Sequence, residues 1–411
     1  MSSHRIKSVD IIPIFPRLAS RYATRVVDMY GIEARLICRI ETDSGLVGWG
    51  DQRVRPWFVV ADDMGQDLVG ADPFDFVNSN QSGGLNTALY DLLGKCLEIP
   101  AWKLMGPKRR DWVQVAAWTR PASPEQFAAE IQRAAGQGYR VFKIHTCSHH
   151  DVFEQTRAAE AVAPDGFRIH YDFNHSRSLG AVLPIVAELE RHHPIVGWIE
   201  DPLVRSDIEG WRALRQQTRI PIIMHGTPMG GMQEYKHDMA DVFMIGGSMF
   251  DTMSAGLALA RANLQVILQH ESGTLGKAMA MHMAAVLPTH TAHSINLDDQ
   301  YEEDVTTARL PVVDGSSPVP DGIGLGYDVD ESAVQRLSQQ KLTEPPRHIG
   351  ILHLGDDSTW YGKGYVSPRT VTGTEEAGVR GFRSELWEDD GTSEFEAMFE
   401  RVEKEGRVRG A

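Results

Sequence analysis

Near the start of the chain, apolar residues alternate with polar ones in three short runs, VDIIPIF, ARLICRIET and LVGWG, the last two joined by a DSG turn. A period of two bounded by Gly and Asp predicts strands, and three such runs over residues 5–50 predict a small antiparallel sheet. Between the first two runs lies PRLASRYATRVVDMYGI, too long for a tight hairpin. It reads as a lid or as a plain surface loop. From Leu85 the period lengthens: in NTALYDLLGKCLEIPAWKLMG, Leu89, Leu92, Leu93 and Leu97 recur three and four residues apart, which predicts a packed helix or helix pair.

After residue 112 the pattern becomes rhythmic. Short apolar or β-branched runs, VQVAAW, YRVFKIH, FRIHYD, IVGWIE, IPIIMH, DVFMIG, LQVILQ and AHSIN, alternate with helical segments between residues 113 and 296. Alternation of this kind predicts βαβ units and a parallel sheet, and eight strands predict a closed barrel. One helix opens SPEQFAAEIQRAA, where Ser123 caps, Pro124 takes the first helical position, Gln126 reaches back, and Phe127, Ile131 and Ala134 share a face. The MAMHMAAVL segment places methionines at helical spacing, a core pattern rather than a ligand set. The expected fold class is α/β, a modified (β/α)8 TIM barrel at 113–330 behind an α+β capping domain at 1–112. A polar extension at 331–411 would return to the cap or to a neighbouring subunit.

Composition narrows the function. The 411 residues carry a net charge of -15 without a dense basic run, which argues against a nucleic-acid partner. Cys38, Cys96 and Cys147 are odd in number and lack CxxC spacing, so they read as reduced thiols of a cytoplasmic protein. The N-terminal residues lack a signal layout, and no apolar stretch reaches the roughly 18 residues of a membrane span. A soluble homo-oligomer is expected, symmetric assemblies being common among soluble proteins.

Chemistry in a parallel barrel sits at the C-terminal strand ends. Read in order, these ends carry Lys143 and His145, Asp172, Glu200, His225 and His270. Charged groups at such positions lose hydration unless they pair or bind a ligand. His149, His150, His192 and His193 fall outside strand ends and read as exposed loop residues. Arg21, Tyr22 and Arg25 in the long loop are candidates to clamp a carboxylate, with solvated surface as the plainer expectation.

NTALYDLLGKCLEIPAWKLMG, FKIH, YDFN, WIEDPL and the late His270, together with DSGLVGWGD in the cap, resemble the enolase superfamily, mandelate racemase-like branch, from about residue 5 to 330. The resemblance implies a lyase or isomerase that removes the proton α to a carboxylate. It also implies a Mg2+ ion on three strand-end carboxylates that stabilises the resulting enediolate. Asp172 and Glu200 match the first two ligands. Lys143 matches the first lysine of a Lys-x-Lys pair, His145 stands in place of the second, and His270 matches the histidine base. The substrate would be a small hydroxylated carboxylate, most simply a sugar acid undergoing dehydration.

The departures are specific. Where a third carboxylate should follow IPII the chain reads Met224, His225, Gly226, Thr227, so His225, water or nothing completes the site. An imidazole there would favour transition metals over Mg2+. The aspartate that should orient His270 is Asp241 in one register, but that residue starts its strand. The register with Gly246 at the strand end leaves Asp251, Glu271 or no partner. Asn296 stands where relatives often carry a glutamate. Two rival expectations follow: a non-catalytic barrel that binds a carboxylate, and an enzyme with an altered metal.

Overall fold

The computed structural model describes residues 4–146, 148–227 and 230–410, and Cys147 lies outside them. Two compact units divide the chain: residues up to Trp118 with Val242–Glu344, and Thr119–Asp241 with the residues from Pro345 on.

In the first unit, β1 (Ile6–Ile14), β2 (Arg35–Thr42) and β3 (Val47–Arg53) form an antiparallel sheet in that order, with a short helix α1 (Val26–Met29) between β1 and β2. Alternation sends Cys38 and Ile40 to one face, and a register shift between Ile6 and Ser8 lets both Ile6 and Val9 join them; the four pack on Leu85, Leu89 and Leu92 of α2 (Gly83–Leu97). This close packing explains the glycines of LVGWG. A Cβ on Gly48 would lie 2.3 Å from the Ala88 carbonyl oxygen, and one on Gly50 would lie 1.9 Å from that of Gly84.

Eight parallel strands form a TIM-like barrel with helices between them. They are β4 (Trp112–Thr119), β5 (Val141–His145), β6 (Arg168–Asp172), β7 (Val196–Glu200), β8 (Ile222–His225), β9 (Val242–Ile245), β10 (Gln265–His270) and β11 (His293–Asn296), and β11 pairs with β4. The intervening helices are α3 (Pro124–Gly136), α4 (Val152–Glu160), α5 (Leu179–His192), α6 (Ile208–Gln217), α7 (Met232–Lys236), α8 (Met249–Arg261) and α9 (Thr274–Val286). The capping box expected at α3 is present: Ser123 Oγ accepts from the Gln126 amide at 3.3 Å, and Gln126 Oε1 accepts from the Ser123 amide at 3.0 Å. Met279, Met281 and Met283 of α9 are buried in the core.

Beyond the barrel, β12 (Ser316–Pro318) runs antiparallel to β4. Helix α10 (Glu331–Ser338) returns to the cap, where the Phe15 amide donates to the Leu337 carbonyl at 3.3 Å. The last segment adds a four-stranded antiparallel sheet to the second unit. It comprises β13 (His348–His353), β14 (Thr359–Lys363), β15 (Arg383–Glu388) and β16 (Arg407–Arg409), ordered β15-β13-β14-β16. Helix α11 (Pro368–Thr372) follows β14, and α12 (Ser393–Glu405) lays Phe395 and Val402 on Ile349 and Val408.

Several surface expectations are corrected. Tyr22 and Arg25 are buried, not solvated: Tyr22 Oη donates to Gln300 Oε1, and Arg25 pairs with Asp28 at 3.5 Å. Arg21 donates to the Asp299 carbonyl at 2.8 Å. Of the paired histidines only His192 is exposed; His150 is buried, His149 stacks on Tyr365, and His193 meets Glu160 at 2.9 Å. Arg21, Tyr22, His149 and His193 meet partners remote in sequence, which local polarity does not reveal. Cys38 and Cys96 are free thiols. Among the described residues no helix is long and apolar enough to cross a membrane.

Candidate active site

Parallel pairing sets a layer of side chains at the ends of three adjacent strands. His145 is opposite Asp172, and Asp172 is opposite Glu200. Two residues earlier, Lys143 is opposite His170, so alternation places Lys143 and His170 in the layer beneath. Lys143 rises from this lower layer to both acids, with Nζ 2.6 Å from Glu200 Oε2 and 3.2 Å from Asp172 Oδ2. Lys143, Asp172 and Glu200 are all buried.

Glu200 is the hub. Besides Lys143 it meets His170 Nε2 at 2.7 Å and His225 Nδ1 at 3.3 Å. Asp172 meets His145 Nε2 at 3.3 Å, and its Oδ1 accepts the Asn174 amide at 2.8 Å and the Asn174 side chain at 2.7 Å. Asp201, next to Glu200, accepts from the His225 amide at 3.0 Å and lies 3.0 Å from His175 Nε2 and 3.2 Å from Arg205. Asn174, His175 and Asp201 all adopt left-handed backbone conformations, with φ of 49°, 55° and 45°. Strained non-glycine residues of this kind persist where the surrounding structure holds them, and they gather at functional sites.

The electrostatics divide the two acids. Burial raises the Asp172 carboxyl to about 7, and the neighbouring Glu200 charge pushes the same way against the pull of Lys143. Burial also works against a Glu200 charge, but Lys143, His170 and His225 outweigh it and hold that carboxyl well below its ordinary range. Lys143 is raised: burial opposes its charge, and Glu200 and Asp172 prevail. His170 is lowered by burial, which outweighs the opposing pull of Glu200.

For metal binding, Glu200, Asp201 and His225 each place one donor atom within 4.8 Å of the others. Asp172 adds a buried carboxylate one strand away. Two or three hard oxygens with one imidazole fit a divalent cation, and the imidazole widens the choice from Mg2+ toward Mn2+ or Zn2+. His225 thus stands at the strand end where the third carboxylate was expected, beside Glu200.

His270 ends β10 in the first unit. Its Nε2 is buried without a hydrogen-bond partner among the described residues, and burial lowers its pKa to about 4. The carboxylates considered as its orienting partner are engaged elsewhere. Asp241 precedes β9, at the opposite end of that strand, and meets Arg215 at 2.7 Å and the Ile222 amide at 2.9 Å. Asp251 takes the Ser248 hydroxyl at 2.9 Å, and Glu271 pairs with Arg53. Gly246 follows β9, where a Cβ would lie 2.3 Å from the Gln269 carbonyl oxygen, so a larger residue is excluded.

Sequence reasoning missed His170, Asp201 and His175. The first two carried a readable signal: His170 shares the alternation of FRIHYD with Asp172, and Asp201 follows Glu200 directly in WIEDPL. The position of His175 depends on the left-handed turn after β6, which no local pattern announces.

The barrel and this strand-end set define the class. The enolase C-terminal domain-like family matches residues 126–333, and the chain belongs to it. A D-galactonate dehydratase of Klebsiella pneumoniae is 24% identical over 352 residues, covering 74% of this chain and 91% of the relative. One from Cronobacter sakazakii is 27% identical over 218 residues, covering 46% of this chain and 56% of the relative. Among solved structures, the dipeptide epimerase of Cytophaga hutchinsonii, complexed with Mg and the dipeptide D-Ala-L-Val, superposes with a TM-score of 0.70 at 19% identity. That match covers 81% of this chain and 98% of the epimerase.

Proposed function

We propose that the chain is a metal-assisted lyase or isomerase that removes the α-proton of a small hydroxylated carboxylate, with dehydration of a sugar acid as the leading reaction. The carrying observation is the buried Lys143–Asp172–Glu200 cluster with His145, His170 and His225 against it. The galactonate dehydratase relatives support the substrate class.

Asp172 and Glu200 would hold the ion in this reading, with His225 and Asp201, whose donor atoms lie within 4.8 Å of a Glu200 oxygen, as the further ligands; Mg2+ is the first candidate and Mn2+ or Zn2+ the alternatives. When bound, the ion supplies positive charge against the enediolate that develops as the α-proton leaves. Lys143 orients the substrate carboxylate or accepts the proton, His145 assists at the partly open face of the layer, and His270 serves as base or acid. The low pKa of His270 keeps its ring neutral and able to accept a proton at neutral pH. Asn174 fixes the Asp172 carboxylate through two hydrogen bonds. Residues 1–112 act as the cap and 113–330 as the catalytic barrel, in a cytoplasmic homo-oligomer.

A second reading, a non-catalytic barrel that binds a carboxylate, is favoured by one observation: Lys143 contacts both acids by itself. Metal titration of the wild type, Asp172→Asn, Glu200→Gln and His225→Ala separates the two. Stoichiometric binding that is lost in the acid variants, with α-proton exchange of sugar acids in heavy water, supports the enzyme. Absence of binding at millimolar Mg2+, Mn2+ and Zn2+ refutes it. Zn2+ binding that depends on His225 assigns the altered metal.

A further inference from the structure

We infer that the C-terminal extension is a working part of this site, through Arg177 and Glu376 as a pair of positioning residues. This rests on the reading above in one respect, that Asp172 takes part in ion binding.

Arg177 lies in the turn after β6, five residues beyond Asp172. Its guanidinium donates to two main-chain carbonyls at the strand ends: through Nη2 to Thr146, the residue after His145, and through Nη1 at 2.9 Å to Phe173, the residue after Asp172. The group therefore bridges the chain immediately beyond the two side chains that face each other at 3.3 Å. It also stacks on Phe173, 4.2 Å from the ring centroid.

A buried guanidinium is stable only when its charge and remaining donors are met. Here the extension supplies the counter-charge. Glu376 is also buried and receives Arg177 in bidentate fashion, Nε to Oε1 at 2.6 Å and Nη2 to Oε2 at 3.0 Å. This fork geometry fixes both direction and distance, which a lysine cannot reproduce.

The neighbouring contacts act on the same two loops. Ser178 donates to Glu375 at 2.6 Å, and Arg369 donates to the Ser176 carbonyl at 3.1 Å. On the β5 side, the Ser384 amide donates to the His149 carbonyl at 2.9 Å, the Gly381 amide to Asp151 at 3.2 Å, and His149 stacks on Tyr365. The extension thus contacts His149 and Asp151 on one side and Ser176, Arg177 and Ser178 on the other, and Arg177–Glu376 is a buried charged link that also reaches Thr146 and Phe173. Its role is to keep His145 and Asp172 in register while the left-handed residues Asn174 and His175 turn the chain away.

The test compares wild type, Glu376→Gln, Glu376→Asp and Glu403→Gln, the last breaking the surface pair with Lys363 in the same extension. Mn2+ affinity is read by free-ion spectroscopy and loop order by hydrogen–deuterium exchange over 143–151 and 170–178. The expected result for Glu376→Gln is a rise of at least tenfold in the Mn2+ dissociation constant with faster exchange in both segments, while Glu403→Gln stays within twofold. Glu376→Asp keeps the charge and shortens the reach, so it should fall between; it carries the test if Glu376→Gln fails to fold. Faster exchange with unchanged Mn2+ affinity makes the pair merely structural and overturns the inference, as does no change in either. A wild type that binds no Mn2+ refutes the functional reading and overturns this inference with it, whereas a wild type that binds Mn2+ with the same affinity as Glu376→Gln overturns the inference alone.

Discussion

Replacing Lys143 by Met removes the lysine that, among the described residues, contacts both Asp172 and Glu200, while keeping most of its volume. Its ammonium stands 2.6 and 3.2 Å from the two carboxylates, and all three groups are buried. Breaking a buried ion pair by removing one partner costs about 3–5 kcal/mol, because the remaining charge is left uncompensated. Unfolding entropy of about 2.1 cal/mol/K per residue amounts to roughly 0.9 kcal/mol/K for a chain of this length. The melting temperature should therefore fall by about 3–6 °C.

The pH dependence is the sharper part. Without Lys143 the pair relieves itself by taking up a proton, and Asp172, already raised to about 7, is the group that takes it. A folded pKa above the unfolded carboxylate value means that the native state binds the extra proton, so stability is present at low pH and is lost as pH rises through the folded value. The deficit of Lys143→Met should accordingly widen from pH 5.5 to pH 8, by at most about 1.4 kcal/mol per pH unit. Differential scanning fluorimetry at the two pH values measures it. A shift below about 1 °C at both, or an equal deficit at both, would refute the claim that Lys143 carries the compensating charge.

Acid should unfold the protein well above the carboxylate range. His149 and His282 are held at about 4 and His290 at about 3, in each case chiefly by burial. The unfolded chain binds their protons from about pH 6.5 downward while the native state does not, so stability falls with pH, by about 2 kcal/mol for each of the first two at pH 5; a flat urea midpoint from pH 7.5 to 5 would count against this. Asp304→Asn should cost about 3–5 kcal/mol, because Arg35 bridges Asp51 and Asp304 in the core and Asp304 also accepts Thr274 through its amide at 2.7 Å and hydroxyl at 2.9 Å. Chemical denaturation checks this, and a loss under about 1 kcal/mol would contradict it. Gly50→Ala should cost about 1–3 kcal/mol or more by overpacking, since its Cβ would meet the Gly84 carbonyl oxygen at 1.9 Å; an unchanged denaturation midpoint would show that α2 can move away.

What the sequence disclosed was local in origin. The strands of cap and barrel were legible because buried faces repeat every second residue, and α3 because Ser123, Pro124 and Gln126 sit at fixed offsets from its start. Lys143, His145, Asp172 and Glu200 were legible as neighbours because parallel strands bring their C-terminal ends together. The extension was opaque for the opposite reason. Its strands are short and carry many exposed residues, as in RSELWE, and they pair out of order, β15-β13-β14-β16, so period and adjacency both fail as signals. The burial of Tyr22 and Arg177 was hidden likewise, since Gln300 and Glu376 arrive from 278 and 199 residues away.

Charge balance tells most about the candidate site. Two buried acids, Asp172 and Glu200, face one buried cation, Lys143; Asp201 has Arg205 and His175 for itself. Set against Lys143, the lysine in contact with both, the two acids when both ionised exceed it by one negative charge. Burial together with that excess is why Asp172 is raised while Glu200, surrounded by Lys143, His170 and His225, is not. A purely structural ion pair would be expected to balance. A cluster short of one positive charge instead accepts a proton or a cation, and a divalent ion would turn the deficit of one into an excess of one. That excess is the sign needed to draw in a carboxylate substrate and to stabilise the second negative charge that forms on it when the α-proton leaves. The imbalance therefore favours the metal-assisted enzyme over the inert barrel more strongly than any single residue match does.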